Sequence, residues 1–207
     1  MTETEVKIQW EGSAEDAEAL IESRGYHARD ARVLEIDQLF DQPSGDLRAA
    51  GLVLRLRRAG TLAKVTYKGR ASRDIYKSRE EIEFEVSDPG AFHTVLERLG
   101  YQAAFRYEKY RTEFSDPAEP GLVTLDETPL GIFLELEGAE DWIDRAAVRL
   151  GFSKADYLTE SYYSLYQTHR QTHAEAPPDM TFGLREPIES NKTTLEGPKS
   201  IASPKAR

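Results

Sequence analysis

The feature that most constrains the fold is a succession of short segments in which apolar and charged residues alternate with a period of two. A period of two is typical of β-strands, because successive side chains point to opposite faces. Several connections are too short for the crossover that joins parallel strands, so the pattern favours an antiparallel barrel or sandwich. The eight segments are TEVKIQ, VLEIDQLF, LVLRLRR, LAKVTYKG, REEIEFEV, YEKYRTEF, LVTLDET and GIFLELEG.

Helical periodicity is restricted to four stretches between and after these strands. They lie near residues 13–24, 89–99, 141–150 and 159–169, and Ser13 and Ser87–Asp88 are candidate N-caps. Few helices and many strands predict an α+β protein that is mainly antiparallel β.

The charged faces of the strands are nearly uniform in sign, with Glu-x-Glu on three strands and Arg-x-Arg on one. A solvent face could explain any single strand. Residues i and i+2 lie only about 6.6 Å apart, however, so like charges repel unless a counter-charge or a metal lies between them. A closed eight-stranded β-barrel with flanking helices resolves this repulsion, because its inward acids and bases offset each other across a polar tunnel.

Composition and net charge limit the classes of binding partner and the cellular compartment that we expect for this protein. The formal net charge of −10 argues against non-specific nucleic-acid binding, and no apolar run is long enough for a membrane span. The chain has no cysteine and begins with acidic residues rather than a signal peptide, so we expect a cytoplasmic protein with a small-molecule partner. The sequence does not indicate an oligomeric state.

The apolar period ends near Thr172, where the chain becomes rich in Pro, Ser and Lys. We therefore expect one domain over residues 1–171 and a flexible C-terminal tail over residues 172–207.

The strands together resemble the CYTH domain, the fold shared by class IV adenylate cyclases, thiamine triphosphatases and other triphosphate tunnel metalloenzymes. ETEVK at residues 3–7 fits the E-x-E-x-K pattern that opens this domain. The remaining strand segments follow in family order, ending with SYYSLY at residues 161–166. DQLF at residues 37–40 departs from the usual Asp-Thr-Tyr-Phe, so an aromatic often found near the tunnel mouth is replaced by Leu39.

The resemblance implies a site made of acids that hold a divalent metal and bases that bind phosphate. Oxygen ligands without His or Cys suit Mg²⁺ or Mn²⁺. It assigns metal binding to Glu3, Glu5, Asp126, Glu135 and Glu137. It assigns substrate binding to Arg55, Arg57, Lys68, Lys109, Arg111 and Glu81. Lys7, Glu5 and Glu83 are the expected catalytic residues, Glu85 is a register alternative to the middle-strand acids, and Arg79 is a candidate structural ion-pair partner.

Three functions fit this resemblance. The first is metal-dependent hydrolysis of inorganic tripolyphosphate, thiamine triphosphate or a nucleoside triphosphate. The second is a class IV adenylate cyclase that converts ATP to cyclic AMP and pyrophosphate. The third is a non-catalytic module that binds polyphosphate or nucleotide. We favour hydrolysis, because it needs no pocket for a base.

Overall fold

We describe a computed structural model of the chain, which covers residues 2–72 and 74–183. Alternating segments form strands here, because each has one face that can be buried among apolar side chains. The strands of these residues are β1 (Thr2–Trp10), β2 (His27–Ala28), β3 (Val33–Asp41), β4 (Val53–Ala59), β5 (Leu62–Lys68), β6 (Lys77–Glu85), β7 (Gln102–Ser115), β8 (Leu122–Thr128) and β9 (Gly131–Glu137).

Eight of these strands form a closed antiparallel barrel. Their order is β7-β3-β4-β5-β6-β1-β9-β8, and β8 pairs with β7 to close the sheet. The two-residue strand β2 pairs only with the end of β7. The predicted eight-stranded barrel is therefore confirmed.

The described residues contain five α-helices and one 3₁₀ turn, which lie between or after the strands along the chain. Ser13 and Asp88 cap α1 and α3, where their side chains accept hydrogen bonds from Asp16 N and Ala91 N. The five-residue helix α2 was not predicted, because it is too short to show a period. No helix in the described ranges is long and apolar enough to cross a membrane. The helices are α1 (Ala14–Ser23), α2 (Asp46–Ala50), α3 (Pro89–Arg98), α4 (Glu140–Leu150) and α5 (Tyr162–Thr172), with a 3₁₀ turn at Lys154–Asp156.

The outer face of the barrel is covered unevenly. Val6 and Leu136 of the β1–β9 pair share a core with Ile21 of α1 and Trp142 of α4, all of them buried. A Cβ atom added at Gly121 would lie 2.1 Å from the Trp142 ring, so only glycine fits beneath this indole. This wall matches the expectation that apolar faces pack outward against helices.

The outer face of β6 does not match it. Ile82 and Phe84 are each 51% exposed. Helix α3 packs through Leu96 against Phe40 and Val65, which covers β3 to β5 instead.

The segment that follows α5 is attached to the barrel near Met180. Met180 is fully buried, its N–H donates to Arg106 O at 3.0 Å, and Glu108 N donates to Met180 O at 2.9 Å. Asp179 also accepts a hydrogen bond from Arg106 N at 2.8 Å. Residues 179–182 are thus packed on β7, although they lie in the segment 172–207 that was expected to be a flexible tail. A single methionine and backbone pairing achieve this without an apolar period. Residues 184–207 lie outside the described residues.

Candidate active site

The barrel encloses a cavity of about 640 Å³ lined mainly by charged side chains. The alternation predicted from sequence places them there, because each barrel strand turns its polar face inward. Of the thirteen site residues predicted above, twelve line this cavity, and Asp126 does not.

Three carboxylates converge at one wall of the cavity. Glu3, Glu5 and Glu137 each offer an oxygen, and these oxygens lie within 4.8 Å of one another. The strand register explains why two of these carboxylates are close together, because Glu5 on β1 pairs directly with Glu137 on β9. We call these three residues the carboxylate cluster.

The other two predicted metal ligands are engaged elsewhere. Glu135 accepts from Lys7 at 3.1 Å and from Arg111 at 2.5 Å. Asp126 is fully buried, and its oxygens accept hydrogen bonds from Lys109 at 2.6 Å, Arg111 at 2.7 Å and the Tyr162 hydroxyl at 2.8 Å. Both acids therefore hold the basic side chains of β7 in place.

The electrostatics of the carboxylate cluster favour a bound cation. Burial raises the pKa of Glu137 to about 8; Arg111 opposes this shift, and the like charges of Glu135, Glu5 and Glu3 add to it. Burial acts in the same direction on Glu5, but Lys7 and Lys77 outweigh it and hold the pKa of Glu5 well below its usual value. Convergent carboxylate oxygens whose ionisation is opposed by burial and by neighbouring like charges suit a hard divalent ion, so these residues fit the metal that the resemblance implies.

The basic residues of β4 are paired with acids of β3. Arg57 donates to Glu35 and to Asp37, each at 2.8 Å, and Arg55 lies 3.4 Å from Asp37. Glu35, which lines the cavity, and Asp37, which lies behind it, are buried acids that the sequence reasoning missed. The signal was present, since VLEIDQLF carries an acid-x-acid pair with the same period as the other strands.

Strand β6 supplies both acids and bases to the cavity. Glu81 lies 2.7 Å from Lys68, and Glu83 accepts from Lys64 at 2.9 Å. Glu85 stands opposite Lys64 in the register, but it is exposed and does not line the cavity. Arg79 lines the cavity, yet the described residues provide it with no ion pair within 4 Å, so its predicted structural pairing is corrected.

Lys77 is a second residue that the sequence reasoning missed. Its side chain lines the cavity, is almost fully buried, and donates to Glu5 at 2.5 Å. Burial together with the nearby Lys7 lowers the pKa of Lys77 to about 8, although Glu5 acts in the opposite direction. Lys77 has the inward parity of Arg79 and Glu81, but it precedes the segment in which the charge alternation was recognised.

Helix α5 contributes one aromatic residue to the tunnel wall. The Tyr162 ring lies 5.2 Å from Lys7 Nζ and 5.4 Å from Lys109 Nζ, and its hydroxyl bonds to Asp126. The resemblance identifies SYYSLY as the last segment in family order but assigns no role to Tyr162. Its tyrosine fixes the basic side chains through cation–π contacts.

A closed barrel with an inward set of paired acids and bases, and with a carboxylate cluster at one wall, defines a tunnel for a polyanion and a divalent cation. The family model of the CYTH domain matches residues 1–162, and the chain belongs to this family.

Relatives and solved structures agree with this assignment. A protein of Methanocaldococcus jannaschii, provisionally named an adenylate cyclase, is 30% identical over 138 residues, which are 66% of this chain and 77% of the relative. A Vibrio parahaemolyticus structure, also provisionally named an adenylate cyclase, has a TM-score of 0.69 at 19% identity and covers 81% of this chain and 98% of its own. A Hippeastrum structure, described as a cyclase candidate with a dominant triphosphatase activity, has a TM-score of 0.59 at 16% identity, covering 81% and 95%. At these identities both structures establish the likeness of fold.

Proposed function

We propose that this protein hydrolyses a triphosphate inside the tunnel in a reaction that depends on Mg²⁺ or Mn²⁺. The substrate is inorganic tripolyphosphate, thiamine triphosphate or a nucleoside triphosphate. The observation that carries this proposal is the carboxylate cluster facing a basic lining within one cavity. Acids of this density would repel a polyanion unless a cation lay between them.

The residues divide by charge and position. Glu3, Glu5 and Glu137 would hold the metal, which when bound would neutralise phosphate charge and activate a water molecule. Arg55, Arg57, Lys109 and Arg111 would bind phosphate oxygens, for which the arginine fork is well shaped. Their ion pairs with buried acids orient these side chains, so little ordering is needed when substrate enters.

We propose Lys7 as a catalytic residue because of its position between two acids. Its ammonium lies 3.2 Å from Glu5 and 3.1 Å from Glu135, so it is held beside the carboxylate cluster. There it can stabilise negative charge that develops on the phosphate under attack. Glu83 is exposed farther along the wall and can orient Lys64 and Thr66 toward the substrate.

The apolar lining of the cavity favours hydrolysis over cyclisation. Apart from two aromatic rings it is aliphatic, and Leu62 at the β4–β5 turn is 52% exposed. The aromatic rings among the described lining residues belong to Tyr107 and Tyr162, and the Tyr162 hydroxyl is bound to Asp126. A hydrolase needs only a positioned water, whereas a cyclase must also hold the base and the ribose of ATP. The aliphatic residues that line the cavity are Ala31, Val33, Ala59 and Leu62.

Adenylate cyclisation is the second candidate, and the name of the Methanocaldococcus jannaschii relative favours it. The same tunnel could place the α-phosphorus, rather than the terminal phosphorus, beside the carboxylate cluster.

Product identification separates the two reactions. The purified protein would be incubated with tripolyphosphate, thiamine triphosphate and ATP in Mn²⁺ or Mg²⁺, and the products resolved by chromatography. We expect orthophosphate from at least one substrate. Glu137→Gln should lose this activity, while the control Glu80→Gln, on the exposed face of β6, should retain it. Cyclic AMP and pyrophosphate as the main products from ATP would establish the cyclase instead.

A further inference from the structure

The basic residues of the tunnel differ in how strongly buried acids already hold them. Arg57 has two carboxylate partners at 2.8 Å, and Arg111 bonds to Asp126 and to Glu135. Moving such a guanidinium toward a phosphate would take one cation away from each of its buried acid partners, which is costly. These arginines can therefore orient a substrate, but much of their charge is already neutralised.

Two cations on β6 are not neutralised in this way. Arg79 lines the cavity without an ion pair in the described part of the chain, and its Nε is buried without a hydrogen-bond partner. Lys77 is almost fully buried and, within residues 2–72 and 74–183, has a single carboxylate partner, Glu5. Both side chains lie on the inward face two residues apart, so they present two neighbouring positive charges.

The register places this pair beside the carboxylate cluster. Arg79 is the pairing partner of Glu3, and Lys77 is the pairing partner of Glu5. A phosphate bound to a cation held by Glu3 and Glu5 would therefore lie close to the side chains of Lys77 and Arg79. A guanidinium that lines the cavity without a carboxylate partner among the described residues is well suited to donate hydrogen bonds to phosphate, because it has no such acid to leave.

We propose that Lys77 and Arg79 are the phosphate-positioning residues for the group that reacts, and that Lys77 and a divalent ion compete for Glu5. Lys77 can leave Glu5 for a phosphate oxygen only when another cation replaces it there. A divalent ion at the carboxylate cluster supplies that replacement. This inference rests on the proposed function, because it concerns how the same tunnel binds a triphosphate.

Direct binding tests it without turnover. Isothermal titration calorimetry would measure the affinity for Mn²⁺ alone, and then the affinity for imidotriphosphate, a hydrolysis-resistant triphosphate, in the presence of Mn²⁺. The variants are Arg79→Gln, Arg79→Lys and Lys77→Met, and the control is Arg58→Gln, which removes the same charge from the exposed face of β4. Circular dichroism would confirm that each variant is folded.

We expect Arg79→Gln to weaken imidotriphosphate binding roughly 10- to 100-fold while its Mn²⁺ affinity stays within about twofold of wild type. Arg79→Lys should recover part of that loss. Lys77→Met should change the two affinities in opposite directions, with weaker imidotriphosphate binding and tighter Mn²⁺ binding, since it removes a competitor for Glu5. A purely structural role would not produce opposite changes.

Two results would overturn the inference. One is imidotriphosphate binding by Arg79→Gln and Lys77→Met that matches Arg58→Gln. The other is a loss of both affinities in a folded Lys77→Met protein, which would make Lys77 a structural support. If wild type itself bound no imidotriphosphate in Mn²⁺, the proposed function would fail, and this inference with it; the two failures are thus distinguishable.

Discussion

Glu5 on β1 stands directly opposite Glu137 on β9, so two carboxylates meet inside the barrel. Like charges at paired positions destabilise a sheet. Glu5 is compensated by Lys7 at 3.2 Å and Lys77 at 2.5 Å, whereas the cation nearest Glu137 in the described structure is Arg111, at 3.6 Å. Glu137 is therefore the member of the carboxylate cluster whose charge is least satisfied without a metal.

Replacing Glu137 and Glu135 separately should give opposite effects on stability. Glu137→Gln should leave the metal-free protein as stable as wild type or more so, because it removes repulsion, while Mn²⁺ binding is lost. Glu135→Gln should destabilise the protein by roughly 1–3 kcal/mol, since Lys7 and Arg111 lose a buried acceptor. Chemical unfolding of the metal-free proteins measures both effects. Equal destabilisation by the two substitutions would contradict this division of roles.

Metal removal should abolish activity without unfolding the barrel. Excess EDTA leaves the carboxylate cluster without a divalent cation, so a polyanion would meet uncompensated acids. The ion pairs of Asp126 and Glu135 with basic side chains do not require the metal and should maintain the fold. Phosphate release would be measured with EDTA and again after Mn²⁺ is restored, with circular dichroism recorded in both states. Full activity in EDTA would refute metal dependence.

The acid sensitivity of the barrel should depend on Glu35. Burial alone would raise the pKa of Glu35, but Arg57, Lys109 and Arg111 lower it from 4.5 to about 2. A carboxylate with a lowered pKa contributes stability above pH 4.5, and that contribution is lost as the pH falls from about 4.5 to about 2. The contribution is on the order of 3 kcal/mol.

Urea unfolding at pH 7, 4 and 3 tests this dependence. Glu35→Gln should lower stability at pH 7, and its stability should fall less steeply than that of wild type as the solution is acidified. The exposed Glu18→Gln serves as the control. Parallel pH profiles for wild type and Glu35→Gln would show that Glu35 is not held by these cations.

The segment after α5 should contribute to stability as far as residue 183. Burial of the Met180 side chain is worth roughly 1.5–3 kcal/mol, and a chain that ends at residue 171 also loses the backbone bonds to β7. We expect that truncation to lower the free energy of unfolding by at least this amount, while a chain that ends at residue 183 matches wild type. Equal stability of the two truncated chains would show that the segment is dispensable.

The sequence predicted the barrel and most of the tunnel lining because a period of two assigns side chains to faces without further information. Glu3, Glu5 and Arg57 are examples that needed only this parity. What parity does not reveal is which inward acid faces which inward base, since that depends on the stagger of the closed barrel. Asp126 and Glu137 lie on the same face of the β8–β9 pair. Asp126 is nevertheless held by two cations, whereas Glu137 belongs to the carboxylate cluster.

Other residues were missed because they lie outside any periodic segment. Lys77 stands at the beginning of β6, before its run of acids, and Met180 is a lone buried residue in a polar segment. Ile82 and Phe84 show that the pattern can also predict burial that does not occur. They form an apolar face but remain half exposed, because an apolar face is buried only when a helix covers it.

The origin of the oxygen in the products tests the central proposal most directly. The protein would be incubated with tripolyphosphate or ATP and Mn²⁺ in water enriched in ¹⁸O, and the released phosphates analysed by mass spectrometry. If a metal-positioned water attacks the terminal phosphorus, orthophosphate carries one ¹⁸O atom from solvent and the remaining phosphate fragment carries none. Unlabelled pyrophosphate together with cyclic AMP from ATP, and no labelled orthophosphate from either substrate, would contradict the hydrolase.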